Sequence, residues 1–379
     1  MGFSLAYFGK KSTMRVFYIF CGLLALGIII LWLFITQNGF GSTVDAQAYL
    51  YAAQSLQEVG EFLTPHGYYT NWTPLFPITL SVLGIRITLF ITLIINLILV
   101  FLLTKNVFDT SFRSFTSYLA YTHTLLGVFF ILIHFFVWSE AGFMALLMAC
   151  ILFIQQLQKK QDWAILIILS NLLCMQRMAG IFFIVFFFVW IWKQHTWQKA
   201  FLYGFLASLS LLAWFTRNFF IQKKPDFIEN IFMVSLENSF LGYADAVLNI
   251  FLPSQFIPNV LKIMLFIMFL GMLVYILWID TKPALKLFSG LILSYVSIML
   301  FLRMNVEGES ERYMAPIVPF IIFLFWKQIA MFLNKNTHLY VRISGYAVGF
   351  LIIVYNIFRT YKNVYQWVTT PPDLISINF

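Results

Sequence analysis

The residues best placed to do chemistry in this chain are a few acids and arginines set in an apolar sequence: Asp45, Glu140, Arg177, Arg217 and Arg312. A carboxylate accepts a proton, and a guanidinium presents planar paired N–H donors that hold two oxygens of a phosphate or carboxylate. Asp45 stands in the first turn of a predicted helix, three residues after Ser42. Two readings are open there: an acidic variant of the capping box favoured by the helix dipole, or a functional acid. Glu140 follows Trp138-Ser139 and precedes Ala141-Gly142-Phe143. It is either a helix-start acid capped by Ser139 or a carboxylate facing a cavity at membrane depth, which by default marks a functional site. Each arginine likewise either pairs with an acid and snorkels at a helix end, or takes an anionic ligand.

The elements that position these residues follow from composition. Of 379 residues, 61% are apolar and 10% charged, with mean hydropathy +0.86. Soluble domains average about 45–50% apolar and about 25% charged, so the charge deficit excludes a water-facing fold and leaves an all-α polytopic membrane protein. The 20% aromatic content fits lipid-facing helices with interfacial belts. Cys21, Cys150 and Cys174 lie singly in apolar runs, which excludes a disulfide framework and reads as buried thiols. The net charge of +9 comes from basic residues scattered one at a time between apolar runs, so no nucleic-acid partner is expected. The first run, Met14 to Ile35, follows Lys10, Lys11 and Arg15 without a small-residue cleavage site, and reads as a retained helix.

Laid across a bilayer from an inner N-terminus, the spans are Met14–Ile35, Ile85–Leu103, Phe115–Val137 and Glu140–Leu157. Two short helices within Trp163–Trp192 meet near Arg177, and Ala200–Phe219, Val260–Trp278, Leu287–Leu302, Met314–Trp326 and Val341–Phe358 follow. That makes about eleven crossings in one domain, 1–379, with a first outer loop over 38–83, a short outer tail over 359–379 and no soluble C-terminal domain. Fourteen of 24 basic residues and three of 15 acids fall inside, a net of +11 facing −2. The type of base also sorts: eleven of the inner fourteen are Lys, whereas six of the outer ten are Arg, namely Arg86, Arg177, Arg217, Arg303, Arg312 and Arg359. Topology needs only charge, so arginines on the disfavoured side point to an anionic ligand or to pairing with the outer acids.

The loop over 38–83 is organised. Ser42 and Thr43 are N-cap types, Val44 to Val59 has helical apolar spacing and Gly60 closes it. An aromatic stretch from His66 through Tyr68, Tyr69 and Trp72 leads to Pro74 and a second short helix, Leu75 to Leu83, suited to the outer interface. Tyr68, Tyr69 and Trp72 either stack on sugar faces or serve as belt aromatics. His66 either lines a cleft or packs on its aromatic neighbours. His134 and His123 read as hydrogen-bonded bundle residues. Glu307, Glu309 and Glu311 are spaced as solvated loop acids or as ligands for a divalent cation. No nucleotide-cradling glycine loop occurs.

Five segments in register carry a resemblance. They are Asp45-Ala-Gln-Ala-Tyr49 with Asn71-Trp72-Thr73-Pro74-Leu75-Phe76-Pro77; Ser139-Glu140; Gln176-Arg177-Met178-Ala179-Gly180; Trp214-Phe215-Thr216-Arg217-Asn218; and Ser310-Glu311-Arg312-Tyr313-Met314-Ala315-Pro316. Together they span about 270 residues and resemble the GT-C glycosyltransferases that use polyprenyl-phosphate sugars, including the protein O-mannosyltransferases and lipid A aminoarabinose transferases. The resemblance implies transfer of a sugar from undecaprenyl or dolichyl phosphate to a lipid, glycan or protein acceptor on the outer or luminal face, with inversion. It implies Asp45 as base, Glu140 positioning the acceptor or tuning Asp45, and Arg312, Arg217 and Arg177 on the donor phosphate. Tyr49, His66, Tyr69, Trp72 and Tyr313 would line the cleft. Where many relatives carry a second acid beside the loop Asp, this chain has Ala46 and Gln47. No metal site is therefore assigned, and a divalent cation is the one cofactor left open. The implied location is a bacterial plasma membrane with the site outward, or the endoplasmic reticulum in a eukaryote. The competing classes are a transporter or flippase for an anionic lipid-linked substrate, and a glycan polymerase or ligase of another membrane family.

Overall fold

The structure, a computed structural model, describes residues 3–65, 67–108, 114–221, 234–279, 282–303, 310–335, 338–369 and 374–375. Helix dominates because long apolar runs must satisfy their backbone groups internally in lipid. The order is α1 Phe3–Ile35, β1 Phe40–Gly41, α2 Val44–Val59, β2 Leu63–Thr64, β3 Gly67–Tyr68, α3 Leu75–Phe108, α4 Phe115–Leu126, α5 Val128–Phe135, α6 Glu140–Ile154, α7 Lys160–Gln176 and α8 Gly180–Gln194. It continues with α9 Trp197–Ile221, α10 Leu236–Leu248, α11 Asn259–Ile279, α12 Pro283–Leu302, α13 Ser310–Met314, α14 Val318–Lys335, α15 Leu339–Thr369 and β4 Leu374–Ile375. Among the described residues, eight helical stretches are long and apolar enough to cross a membrane, and α6 and α8 are shorter apolar helices. Length and composition therefore establish a polytopic bundle of eight candidate spans, fewer than the eleven crossings read from the sequence. The stretches Phe115–Phe135 and Ser310–Lys335 are mostly buried and form the centre; α1, α11 and α15 keep most of their surface on the periphery.

The bundle has two chemically distinct ends. At one, rings and ammonium groups meet: Trp163 and His195 lie 5.3 Å apart, Lys199 Nζ stands 5.8 Å over the Trp163 ring and Lys327 Nζ 5.1 Å over Phe108. At the other end gather the segments carrying Asp45, Glu140, Arg177, Arg312 and Arg359. The backbone also joins there, where β1 pairs antiparallel with β4, Phe40 opposite Ile375 and Gly41 opposite Leu374. Gly41 in turn bridges Phe136, and Val137 N–H donates to Gly41 O at 3.0 Å. The lysine end and the arginine end read from the sequence are thus opposite ends of one bundle.

Three local differences have physical causes. The run from Leu75 to Phe108 is broken at Gly84, whose φ of 74° and ψ of 168° lie in a region that only glycine adopts cheaply, so the predicted short helix ends there and the longer one begins. The last helix does not stop at Phe358 but runs to Thr369, which shortens the expected tail. Its buried residues Gly349, Ile353, Asn356, Thr360 and Val364 repeat at helical spacing, so packing carries the helix onward. The helix α10 has no counterpart among the expected elements; Ser235 caps it, accepting from Asn238 N–H at 3.2 Å. Gly84→Ala is expected to cost about 1–3 kcal/mol and to lower the thermal midpoint in detergent; an unchanged midpoint would show that the break tolerates an ordinary residue.

Candidate active site

The site is built from four chain segments, beginning at the N-terminus of α2. Thr43 is the N-cap, its Oγ1 accepting from Ala46 N–H at 3.4 Å and from Trp138 Nε1–H at 2.9 Å. Thr43 rather than Ser42 therefore does the capping, and the Asp45 carboxylate is engaged elsewhere. Arg312 Nη2 donates to Asp45 Oδ2 at 2.6 Å. Gly60 closes α2 in the left-handed region, as its position in the sequence predicts.

The second segment opens α6. Ser139 is helical in backbone and makes no cap bond, so the expected Ser139 cap is absent. Its hydroxyl instead meets Tyr49 Oη at 3.2 Å and accepts from Arg177 Nη1 at 3.2 Å, while its carbonyl accepts from Gln176 Nε2 at 3.0 Å. Glu140 is fully buried, and its Oε1 accepts from both Arg312 Nε and Arg177 Nη1. Its Oε2 is buried without a hydrogen-bond partner.

Arg177 reaches Glu140 because α7 ends there. Its backbone is extended at φ −153°, ψ 139°, and its side chain leaves the helix axis. The chain re-enters helix three residues later at Gly180, where an added Cβ would lie 2.8 Å from Cys174 Cα, so a larger residue would push α8 off α7. Arg312, 2% exposed, projects from the short α13, and its guanidinium covers the Trp138 ring at 4.4 Å. Tyr313 stands beside both cations, 5.9 Å from Arg312 and 5.8 Å from Arg177. This turn is fixed from two sides. Tyr295 Oη donates to Tyr313 O at 2.8 Å, and Glu311 Oε1 accepts from Arg359 and, at 2.8 Å, from Asn249 Nδ2.

An aromatic wall leads away from this cluster. Trp72 packs edge-on against Tyr49 at 6.0 Å and stacks on Tyr69 at 5.8 Å; Tyr69 adjoins Trp214, 6.5 Å away. Arg217 covers Trp214 at 4.5 Å and donates to Tyr69 O at 3.3 Å and Asn218 Oδ1 at 2.9 Å. Asn218 Nδ2 and Trp214 Nε1 donate to the carbonyls of Thr70 and Trp72 at 3.1 and 3.2 Å. Burial pushes the phenols of Tyr49 and Tyr69 well above their ordinary range, the Asp45 charge adding to it, so both stay neutral.

The structure therefore brings together Asp45, Glu140, Arg177 and Arg312, with Tyr49 and Tyr313 at the rim. It places Tyr69 and Trp72 in the adjoining wall and Arg217 at the wall's far end, bound to the Tyr69 carbonyl and the Asn218 side chain. His66, Glu307 and Glu309 lie outside the described residues. Glu311 is engaged by Arg359 and Asn249 rather than set among other acids. Among the described residues no three His, Cys, Asp or Glu side chains come together as a metal site, and the cluster's two carboxylates both rest on guanidiniums. His134 donates from Nδ1 to Phe130 O at 2.6 Å and accepts at Nε2 from Asn96 at 2.9 Å. His123 donates from Nε2 to Ile250 O at 2.8 Å and accepts from Trp326 at 3.2 Å. The tethers Tyr49–Ser139, Gln176–Ser139 and Glu311–Arg359 escape a reading of the sequence; a polar Gln176 inside an apolar run is the one local sign of them.

The fold that carries this arrangement is shared with a solved structure. The crystal structure of ArnT from Cupriavidus metallidurans bound to undecaprenyl phosphate is similar to it, with a TM-score of 0.57 at 10% sequence identity, over 83% of this chain and 60% of that one. The chain thus spans about three fifths of ArnT. No protein-family profile matches the sequence, and no curated protein does.

Breaking a buried ion pair from one side leaves an uncompensated charge, at a cost of about 3–5 kcal/mol. Arg312→Ala is expected to destabilise by that order in detergent melts, with part of the loss recovered in Arg312→Ala/Glu140→Ala. A wild-type melt for the single variant would mean that Glu140 does not depend on Arg312.

Proposed function

We propose that the chain is a glycosyltransferase that moves a sugar from a polyprenyl phosphate, undecaprenyl or dolichyl, to an acceptor on the outer or luminal face of its membrane. The observation that carries this is Arg312, a buried guanidinium shared between a fully buried acid and one that is 25% exposed, on a fold similar to that of a protein bound to undecaprenyl phosphate. The excess of lysine at the opposite end supports placing this end outside, with eleven crossings in all.

In the proposed reaction the acceptor oxygen attacks the anomeric carbon as the bond from that carbon to the lipid phosphate breaks. The electron pair goes to the phosphate oxygen, the acceptor proton to Asp45, and the configuration inverts. Charge grows on the leaving phosphate, so cations fixed beside it lower the barrier. Arg312 is fit for this because Glu140 holds its Nε and Trp138 covers one face, leaving Nη2 as the donor that points toward the accessible acid. An incoming phosphate oxygen displaces Asp45 from Nη2, which binds the donor and releases the base in one exchange. Arg177, joined to the same Glu140 oxygen, is the second phosphate contact. Glu140, enclosed and bound by both arginines, acts as a positioning residue through them. Arg217, which holds the Tyr69 carbonyl and the Asn218 side chain, is given a structural role.

The test compares wild type with Asp45→Asn, matched by thermal melt, in membrane extracts supplying acceptors and a panel of polyprenyl-phosphate sugars. Donor consumption by wild type and a loss of at least about 10²-fold in the variant are expected, the scale of removing a general base. Equal consumption by both proteins would return Asp45 to a structural role. No consumption despite bound lipid would favour a transporter or flippase.

A further inference from the structure

On the side of α2 that carries Gln47 and Tyr51 lies a cavity of about 390 Å³, bounded by that face, by Thr64, Pro65 and the stretch from Tyr68 to Trp72, and by Ile221 at the end of α9. That volume falls within the roughly 300–1,000 Å³ of small-molecule sites. Its chemistry is specific. Tyr51, Tyr68, Tyr69 and Trp72 supply aromatic surface, Gln47 and Asn71 supply carboxamides, and threonine hydroxyls complete the polar lining; among the described residues, none of the lining is Asp, Glu, Lys or Arg. Tyr51 and Tyr68 are about half exposed, at 48% and 49%. Carboxamides donate and accept together, as paired sugar hydroxyls require, and aromatic rings cover the apolar faces of a pyranose. An ionic ligand would find no opposite charge among the described lining residues to offset its desolvation.

The position of the cavity relative to Asp45 is set by the helix. Gln47 and Tyr51, four residues apart, lie on one strip of α2, and Asp45 and Tyr49, also four apart, lie about 200° round the helix from it, so the cavity and Asp45 face different sides of α2. Trp72 joins the two: it lines the cavity and packs against Tyr49. All four charged groups of the cluster lie on the Asp45 side.

We propose that this cavity is a saccharide-binding subsite that takes an uncharged sugar unit. Saccharide binding there does not depend on the transferase reading. The full chain in lipid nanodiscs is titrated with maltotriose, methyl β-D-glucopyranoside and methyl β-D-glucuronide while saturation transfer to the ligand ring protons is followed by NMR. Transfer to the two neutral glycosides is expected, with the glucuronide weaker, and with binding reduced roughly tenfold in Tyr51→Ala and Gln47→Ala, the scale of losing one stacking or amide contact. Both positions are solvent-facing, and matched melts establish that the variants are folded. Equal or tighter binding of the glucuronide, binding unchanged in both variants, or no transfer from any glycoside overturns the proposal. If Asp45→Asn turns over normally while maltotriose still binds through Tyr51, the transferase reading fails and the saccharide subsite stands.

Discussion

A guanidinium that is 2% exposed at one end of a membrane bundle is tolerable only with anions against it, and Arg312 has two, from segments 172 and 267 residues away in sequence. Desolvating such a group costs several kcal/mol, which Coulomb attraction offsets only in good geometry. The requirement fixes much else. The start of α6 must bring Glu140 under Nε, the cap of α2 must turn Asp45 outward, and the break before α8 must let Arg177 neutralise what Arg312 leaves over. Trp138 belongs to the same solution, presenting its π face to the cation while its N–H ties back to Thr43.

The cluster holds two cations and two anions, and is electroneutral as it stands. That neutrality makes it compatible with a low-dielectric interior, and the unequal exposure of the two acids gives it direction. Glu140 cannot leave without stranding a charge, whereas Asp45 has water to turn to. An anion arriving from outside can therefore exchange with only one of the two partners, so the hierarchy of burial is also a hierarchy of exchange.

Much of the bundle is legible in the sequence because apolar runs, basic flanks and helix-ending residues are local signals. Asp45 near a capped helix start, Glu140 after Trp138-Ser139, and Arg177 at the break of a long apolar stretch all stand where those signals put them. What is not legible is which polar group meets which. Ser139 is a helix-start type by composition, yet it serves as a hydroxyl bridge between Tyr49 and Arg177, 90 and 38 residues away. Arg217 has the same residue type and sidedness as Arg312, and only tertiary placement shows that it holds Tyr69 and Asn218 instead of an acid. The long α15 extends past its expected end because Thr360 and Val364 still pack, a fact about neighbours rather than about its own hydropathy.

The spacing of these partners along the chain sets an order in time. Glu140 meets its first cation, Arg177, only 37 residues later, within the next turn of the chain through the bundle. Asp45 waits 267 residues for Arg312, roughly 15–50 s at ordinary rates of synthesis of about 5–20 residues per second. The acid that cannot bear solitude is thus neutralised early and by a near neighbour, and the acid that can is left until last. The early Glu140–Arg177 pair acts as a built-in escort for a buried charge during insertion, and the four-residue cluster is complete only when the final third of the chain has been made.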